Sequence, residues 1–260
     1  MDRQQAAAAR QVFTFTEKAG IRLPKPVLDA RAKVEKIRAG VALIPPFNRD
    51  GVALAVADAL ARDADPAVDP KVARAIGLAA ITQSGVIDHV EGAAFDLLWE
   101  ACRENQDAMV VELRKPFDKA AAVLVDAHKR IGDLDLKADS QAILKLGDNI
   151  AEVWAGAIEA DKQISEVIVA WASLSRFLSG TGGMADARWV NLRLVNPPAE
   201  VWNDLDLERT RLEPWDCVRA GLALTLPTLT EVDERRASIA AQRAELAAAA
   251  VEPVRSASFW

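Results

Sequence analysis

Between residues 138 and 179 apolar side chains recur in alternating steps of three and four: Ile143, Leu146, Ile150, Val153, Ala157, Ala160, Ile164, Val167, Trp171, Leu174 and Leu178. Every a and d position of that heptad is apolar, which predicts a helix with a coiled-coil-like seam. A second seam runs through residues 86–131, from Phe95, Leu98, Cys102, Asn105 and Met109 to Leu113, Phe117, Ala120, Leu124, Ala127 and Ile131. Its spacing slips around Leu113, a stutter that locally unwinds a supercoil. Pro116 lies inside the slip, and a mid-helix proline removes an N–H and kinks or breaks the helix. Both signals predict a bend there.

A short tip at 132–137 makes the two stretches antiparallel neighbours, folded about residue 135. That register sets Trp171 level with Trp99, and Trp154 level with Pro116. The expected fold class is therefore mainly α: a long antiparallel helical hairpin, coiled-coil-like, with flanking shorter helices and at most a small β element. Each continuous arm would be about 60 Å long.

The flanks give shorter patterns. Residues 2–19 read as an Ala-rich helix stopped by Gly20, although the run Val12 to Thr16 alternates like a strand. Val27, Ala30, Val34 and Ile37 recur at helical spacing, and a further short helix is expected at 50–62. Asp69-Pro70 has the form of a cap followed by a first-turn proline. Beyond the glycine-rich stretch 180–183, residues 189–195 and 222–226 alternate weakly, as a small strand pair would. A last helix is expected from Thr228 to Ala250, capped by Thr228 or Thr230 with Glu231 or Asp233 in its first turn. The domain division that follows is an N-terminal helical region (1–82), the hairpin (86–179) and a C-terminal region (184–260) with an irregular Trp/Pro-rich segment and the final helix.

Composition strengthens the helical reading. Of 260 residues, 51% are hydrophobic but only 5% aromatic, with no Tyr, and alanine supplies much of the rest. Alanine is the best helix former and lets helices approach closely. The formal charge of −6 disfavours general affinity for nucleic acid or an anionic membrane. No apolar run approaches the roughly 20 residues of a membrane span, and the first residues lack the layout of a signal peptide. Cys102 and Cys217 have no paired metal spacing and read most simply as buried reduced thiols, with a single disulfide as the alternative. A cytoplasmic location is expected, or a virion-associated one if the gene is a phage's. An excess of Arg over Lys with abundant Ala and Asp suits a GC-rich genome, such as an actinobacterium or its phages.

Candidate chemistry is sparse. His89 and His128 lie about 58 Å apart on a straight arm, and neither sits in a Glu-x-x-His or His-Glu-x-x-His pattern. The Ser179–Gly183 loop follows a helix and lacks the Gly-Lys-Ser/Thr of a phosphate loop, so it reads as a linker. No nucleophile elbow, Cys–His pair or kinase signature is present. Neither a catalytic residue, a cofactor nor a metal site is expected. Lys25, Arg31, Lys33, Lys36 and Arg38 make a mildly basic segment that reads as a solvated helix face.

The most unusual feature is Phe259-Trp260, two large aromatics on a small-residue tail. They dock on the protein's own core or insert into a partner's pocket. The functional expectation is a non-enzymatic structural, scaffolding or assembly/adaptor protein, a homo-oligomer or the binder of a protein partner, of the kind found in phage particles. Two alternatives are a small-ligand-binding or carboxylate-based enzyme in a helical bundle, which requires a cavity lined by converging polar groups, and a nucleic-acid-associated regulator.

Overall fold

A computed structural model describes residues 3–44, 49–138, 140–179 and 191–256. Among them the chain is mainly helical. In order the helices are α1 (Arg3–Lys18), α2 (Lys25–Ala42), α3 (Arg49–Ala61), α4 (Pro70–Gln83), α5 (Val86–Glu104), α6 (Gln106–Ile131), α7 (Ser140–Leu144), α8 (Asp148–Ser179), α9 (Ala199–Asp204), α10 (Pro214–Arg219) and α11 (Leu229–Ser256). The strand-like run from Val12 to Thr16 is helical, with Val12, Phe13 and Thr16 buried. No strand forms among the described residues. Residues 189 and 190 lie outside them, and the expected pairing reduces to one antiparallel bridge, Val195 to Leu224, with the Thr225 N–H donating to Leu194 O.

Local sequence explains where several helices begin and end. Asp69 accepts from the N–H groups of Lys71 and Val72 ahead of Pro70, satisfying donors that the first turn leaves open. Thr228 and Glu231 form a reciprocal capping box: each backbone N–H donates to the other's side-chain oxygen. Gly20 and Gly132 turn the chain after α1 and α6 at φ +64 and +61, a region glycine enters without steric penalty.

The chain forms two compact units. Lys25–Glu104 make one, and the described residues before Lys25 and after Glu104 make the other. In the smaller unit α2 packs on α5, α3 on α4, and α4 on α5. In the larger, α8 is the central helix, flanked by α6 and α1. The expected boundaries near 82–86 and 179–184 do not coincide with this partition, whose inner edge falls at Asn105.

That edge corrects the arm expected over 86–131. The interruption lies at Asn105, between α5 and α6, whereas α6 runs through Pro116 as one 26-residue helix of about 39 Å. Pro116 lacks only its own N–H, while the flanking Leu113 and Phe117 are 1% and 0% exposed, and that packing holds the turn together. Asn105, read as a polar seam residue, instead ends α5. The α5 segment therefore finds its partner in α2.

The seam over 143–178 divides as well. Ile164, Val167, Trp171 and Leu174 are fully buried, and Ile143 is buried in α7. Ile150, Val153 and Leu178 are half-buried, and Leu146, in the turn before α8, is 52% exposed. The tip is longer than expected because α7 and Gly147 intervene. Arg130 donates to Asn149, which places the fold point near residue 140, not 135. Trp171 accordingly donates its indole N–H to Pro227 O at 2.8 Å. Trp154 donates to Asp135 O at 3.2 Å, beside the tip, not beside Pro116.

Candidate functional site

Two features of the described residues carry chemistry or binding surface. The first lies in the larger unit and begins with Asn191, 1% exposed in the turn before Leu194. Its amide donates to Leu207 O and Thr210 O at 2.8 and 2.7 Å, and its carbonyl oxygen accepts from the Leu212 N–H at 3.2 Å. Both donors and the acceptor of one buried side chain thus fasten the 207–212 loop to the 191–194 turn.

The clamp brings Arg193 and Arg211 to the wall of one cavity of about 590 Å³, which also meets α1 at Gln11 and one face of α8. The α8 residues along it run from Asp161 through Ser165, Val169 and Ser173 to Arg176. Fifteen residues at 1.5 Å rise separate its ends by about 22 Å. Gln11 accepts from the Ser173 hydroxyl at 2.8 Å, tying α1 to this face.

The wall carries charges of both signs. Asp161 accepts from the Trp215 N–H at 3.0 Å. Burial raises its carboxyl above the ordinary range, opposed by that hydrogen bond and reinforced by Glu213 and Asp216. Lys137 pairs with Glu213 at 3.0 Å. The wall also carries Arg176, Arg193 and Arg211, and among the described residues no carboxylate or carbonyl accepts from any of the three. The Nε of Arg193 is buried without a hydrogen-bond partner. Burial, followed by repulsion from Arg211, lowers the Arg193 guanidinium below its usual value, so two like charges sit near each other where water is partly excluded.

A second cavity, of about 470 Å³, is mostly apolar, with Arg235 on its wall. The Arg235 Nη1 donates to Leu192 O, so this cation already serves the fold.

The second feature is the uncovered apolar surface of the smaller unit. Residues 51–57 of α3 carry no charge on any side, and a helix apolar all round is normally buried. From Asp50 to Ala61 of this helix only Ala59 is buried, and Leu54 and Leu60 are 67% and 59% exposed. On α5, Ala94, Phe95, Leu98 and Cys102 form the buried face. Val86, Val90, Ala93 and Leu97 form a second stripe at steps of four, three and four, all exposed.

The residues singled out in the sequence are placed as follows. Phe259 and Trp260, and the 180–183 glycines, lie outside the described residues. His89 is exposed on α5. His128 lies 3.3 Å from Asp133 and meets the edge of Trp215 at 5.8 Å. They belong to different units. Among the described residues no three His, Cys, Asp or Glu side chains group to hold a metal ion, and no helix is long and apolar enough to cross a membrane. In the basic segment Arg31 pairs with Glu35. Neither the Asn191 clamp nor the arginines it collects were signalled by local pattern.

No protein-family model, curated protein or solved structure matches the chain.

Proposed function

We propose that the protein is a non-enzymatic assembly protein that associates with further copies of itself through the α2–α5 unit. The observation that supports this reading is the exposed Val86-Val90-Ala93-Leu97 stripe of α5. Its spacing is that of a helix seam awaiting a second helix. The exposed apolar α3 adds to it, since contiguous apolar surface of this kind marks protein contacts. Burial of such surface contributes about 25 cal/mol per Å².

Sedimentation across roughly 1 to 100 μM protein, the range in which association of this strength is populated, tests the reading. The wild type is expected to sediment as an oligomer, and the Val90→Glu, Leu97→Glu double variant as a folded monomer with an unchanged helical circular dichroism spectrum. A monomeric wild type throughout that range would remove the basis for assembly.

A further inference from the structure

We propose that Arg193 and Arg211, on the wall of the α8 cavity that Arg176 also lines, bind a phosphate group. Three observations converge on it. Asn191 uses both amide N–H donors and its carbonyl oxygen to hold the two segments that carry Arg193 and Arg211 side by side. Placing two guanidiniums together opposes folding unless an anion lies between them. None of the three arginines has an ion pair or hydrogen bond among the described residues, although the chain carries 38 acidic residues against 32 basic ones. Three other arginines of the larger unit are paired: Arg114 with Glu231, Arg243 with Glu208 and Arg219 with Asp133.

The chemistry of the donors selects the ligand. A guanidinium presents a planar fork of N–H groups that matches two oxygens of one phosphate, and two forks match its remaining oxygens. The Arg193 Nε, buried and without an acceptor, is a donor left unsatisfied by the protein, and such groups are rare unless something else serves them. The cavity's two carboxylates already have partners, Glu213 in Lys137 and Asp161 in the Trp215 N–H, and neither forms an ion pair with the arginines. Arg176 contributes less, because it lies in the last turn of α8, where the helix dipole already favours a cation. At about 590 Å³ the cavity falls in the size range of small-molecule sites and has room for more than the phosphate alone.

The shared chemistry is a dianionic phosphate, either free or carried on a small molecule. Calorimetric titration of the full chain with inorganic phosphate, adenosine monophosphate and adenosine separates these sources. One-site saturable binding of phosphate or of the monophosphate, without binding of adenosine, is the expected result. Tighter binding of phosphate assigns the site to the free anion, and tighter binding of the monophosphate assigns it to a phosphorylated compound. Arg211→Gln, at an exposed position that leaves the fold intact, should weaken binding about tenfold or more, as loss of a charge-assisted pair does. Arg193→Gln should do the same. Arg209→Gln, a charge-matched control outside the cavity, should leave affinity unchanged. Absence of saturable binding, or equal affinity in wild type and Arg211→Gln, overturns the proposal.

Discussion

The two units of the chain are both helical and both rich in alanine, yet they enclose different material. In the larger unit Phe117, Leu124, Ile164, Trp171 and Leu174 are all fully buried around α6 and α8. In the smaller, Val27, Ala30, Val34, Ala59, Val72 and Ala94 fill most of the interior, and Phe95 and Leu98 are the largest buried side chains there, each 7% exposed. Apolar periodicity is sufficient to specify a helix. Side-chain volume decides whether helices, once formed, shut out water. Charge is handled differently too: in the larger unit Asp161 and Arg193 are half-buried, whereas in the smaller the buried Asp69 is held by the Lys71 and Val72 N–H groups and by Arg62. There the hydrogen bond from Lys71, followed by the charge of Arg62, holds Asp58 below the ordinary carboxylate range.

The sharpest way to break this comparison is to remove one large side chain from each unit. Trp171→Ala should cost about 3–5 kcal/mol, the range for deleting a buried aromatic, and it strips Pro227 O of its donor. Phe95→Ala should fall at or below the lower edge of that range, because thinner surroundings collapse more readily into the space. Urea unfolding of the two variants measures both, and equal losses would show that the units are packed alike.

A smaller effect compares the two cysteines, one in each unit. Cys102 and Cys217 are both 0% exposed, and burial pushes both thiols up to about 12. At pH 8 neither supplies appreciable thiolate in the folded state, so alkylation proceeds through local opening. Cys102 is expected to label about tenfold faster than Cys217, equivalent to about 1.4 kcal/mol less protection. Peptide mass mapping of alkylated protein reads the two rates, and faster labelling of Cys217 would reverse the ranking.

The smallest effect concerns a half-buried carboxyl of the larger unit. The Asp161 carboxyl is raised mainly by burial. A carboxyl whose folded pKa exceeds its unfolded value destabilises the fold fully above the folded value, and the penalty disappears below the unfolded value near 3.9. Asp161→Asn keeps an oxygen for the Trp215 N–H. Its thermal midpoint should exceed that of the wild type at pH 7, and the two should converge at pH 3. A gap that widens on acidification would reverse the assigned direction.

How much of this was legible in the sequence depended on the range of the interaction. Short-range signals were read well: the Asp69-Pro70 start of α4, the Thr228–Glu231 box, the ends at Gly20 and Gly132, and the middle of the seam from Ala157 to Leu174. The register was misread because the apolar spacing passes unbroken through Leu146, where the chain actually turns. A stripe records which side chains prefer one face, not whether the helix beneath them is continuous. Pro116 drew the attention because its chemistry is conspicuous, while Asn105, which ends α5, resembled an ordinary polar seam residue. The arginine-lined cavity was illegible for a different reason. Arg193 and Arg211 are two among many basic residues, and they are joined only by a clamp spanning 16 to 21 positions.

The packing of α1 on α8 has a consequence for synthesis. Gln11 and Ser173, bonded in the finished protein, are separated by 162 positions. At about 5–20 residues per second, α1 leaves the ribosome roughly ten to thirty seconds before its docking surface exists. During that interval Ala8, Ala9, Val12 and Phe13, all buried at the end, face solvent or whatever chaperone meets the nascent chain.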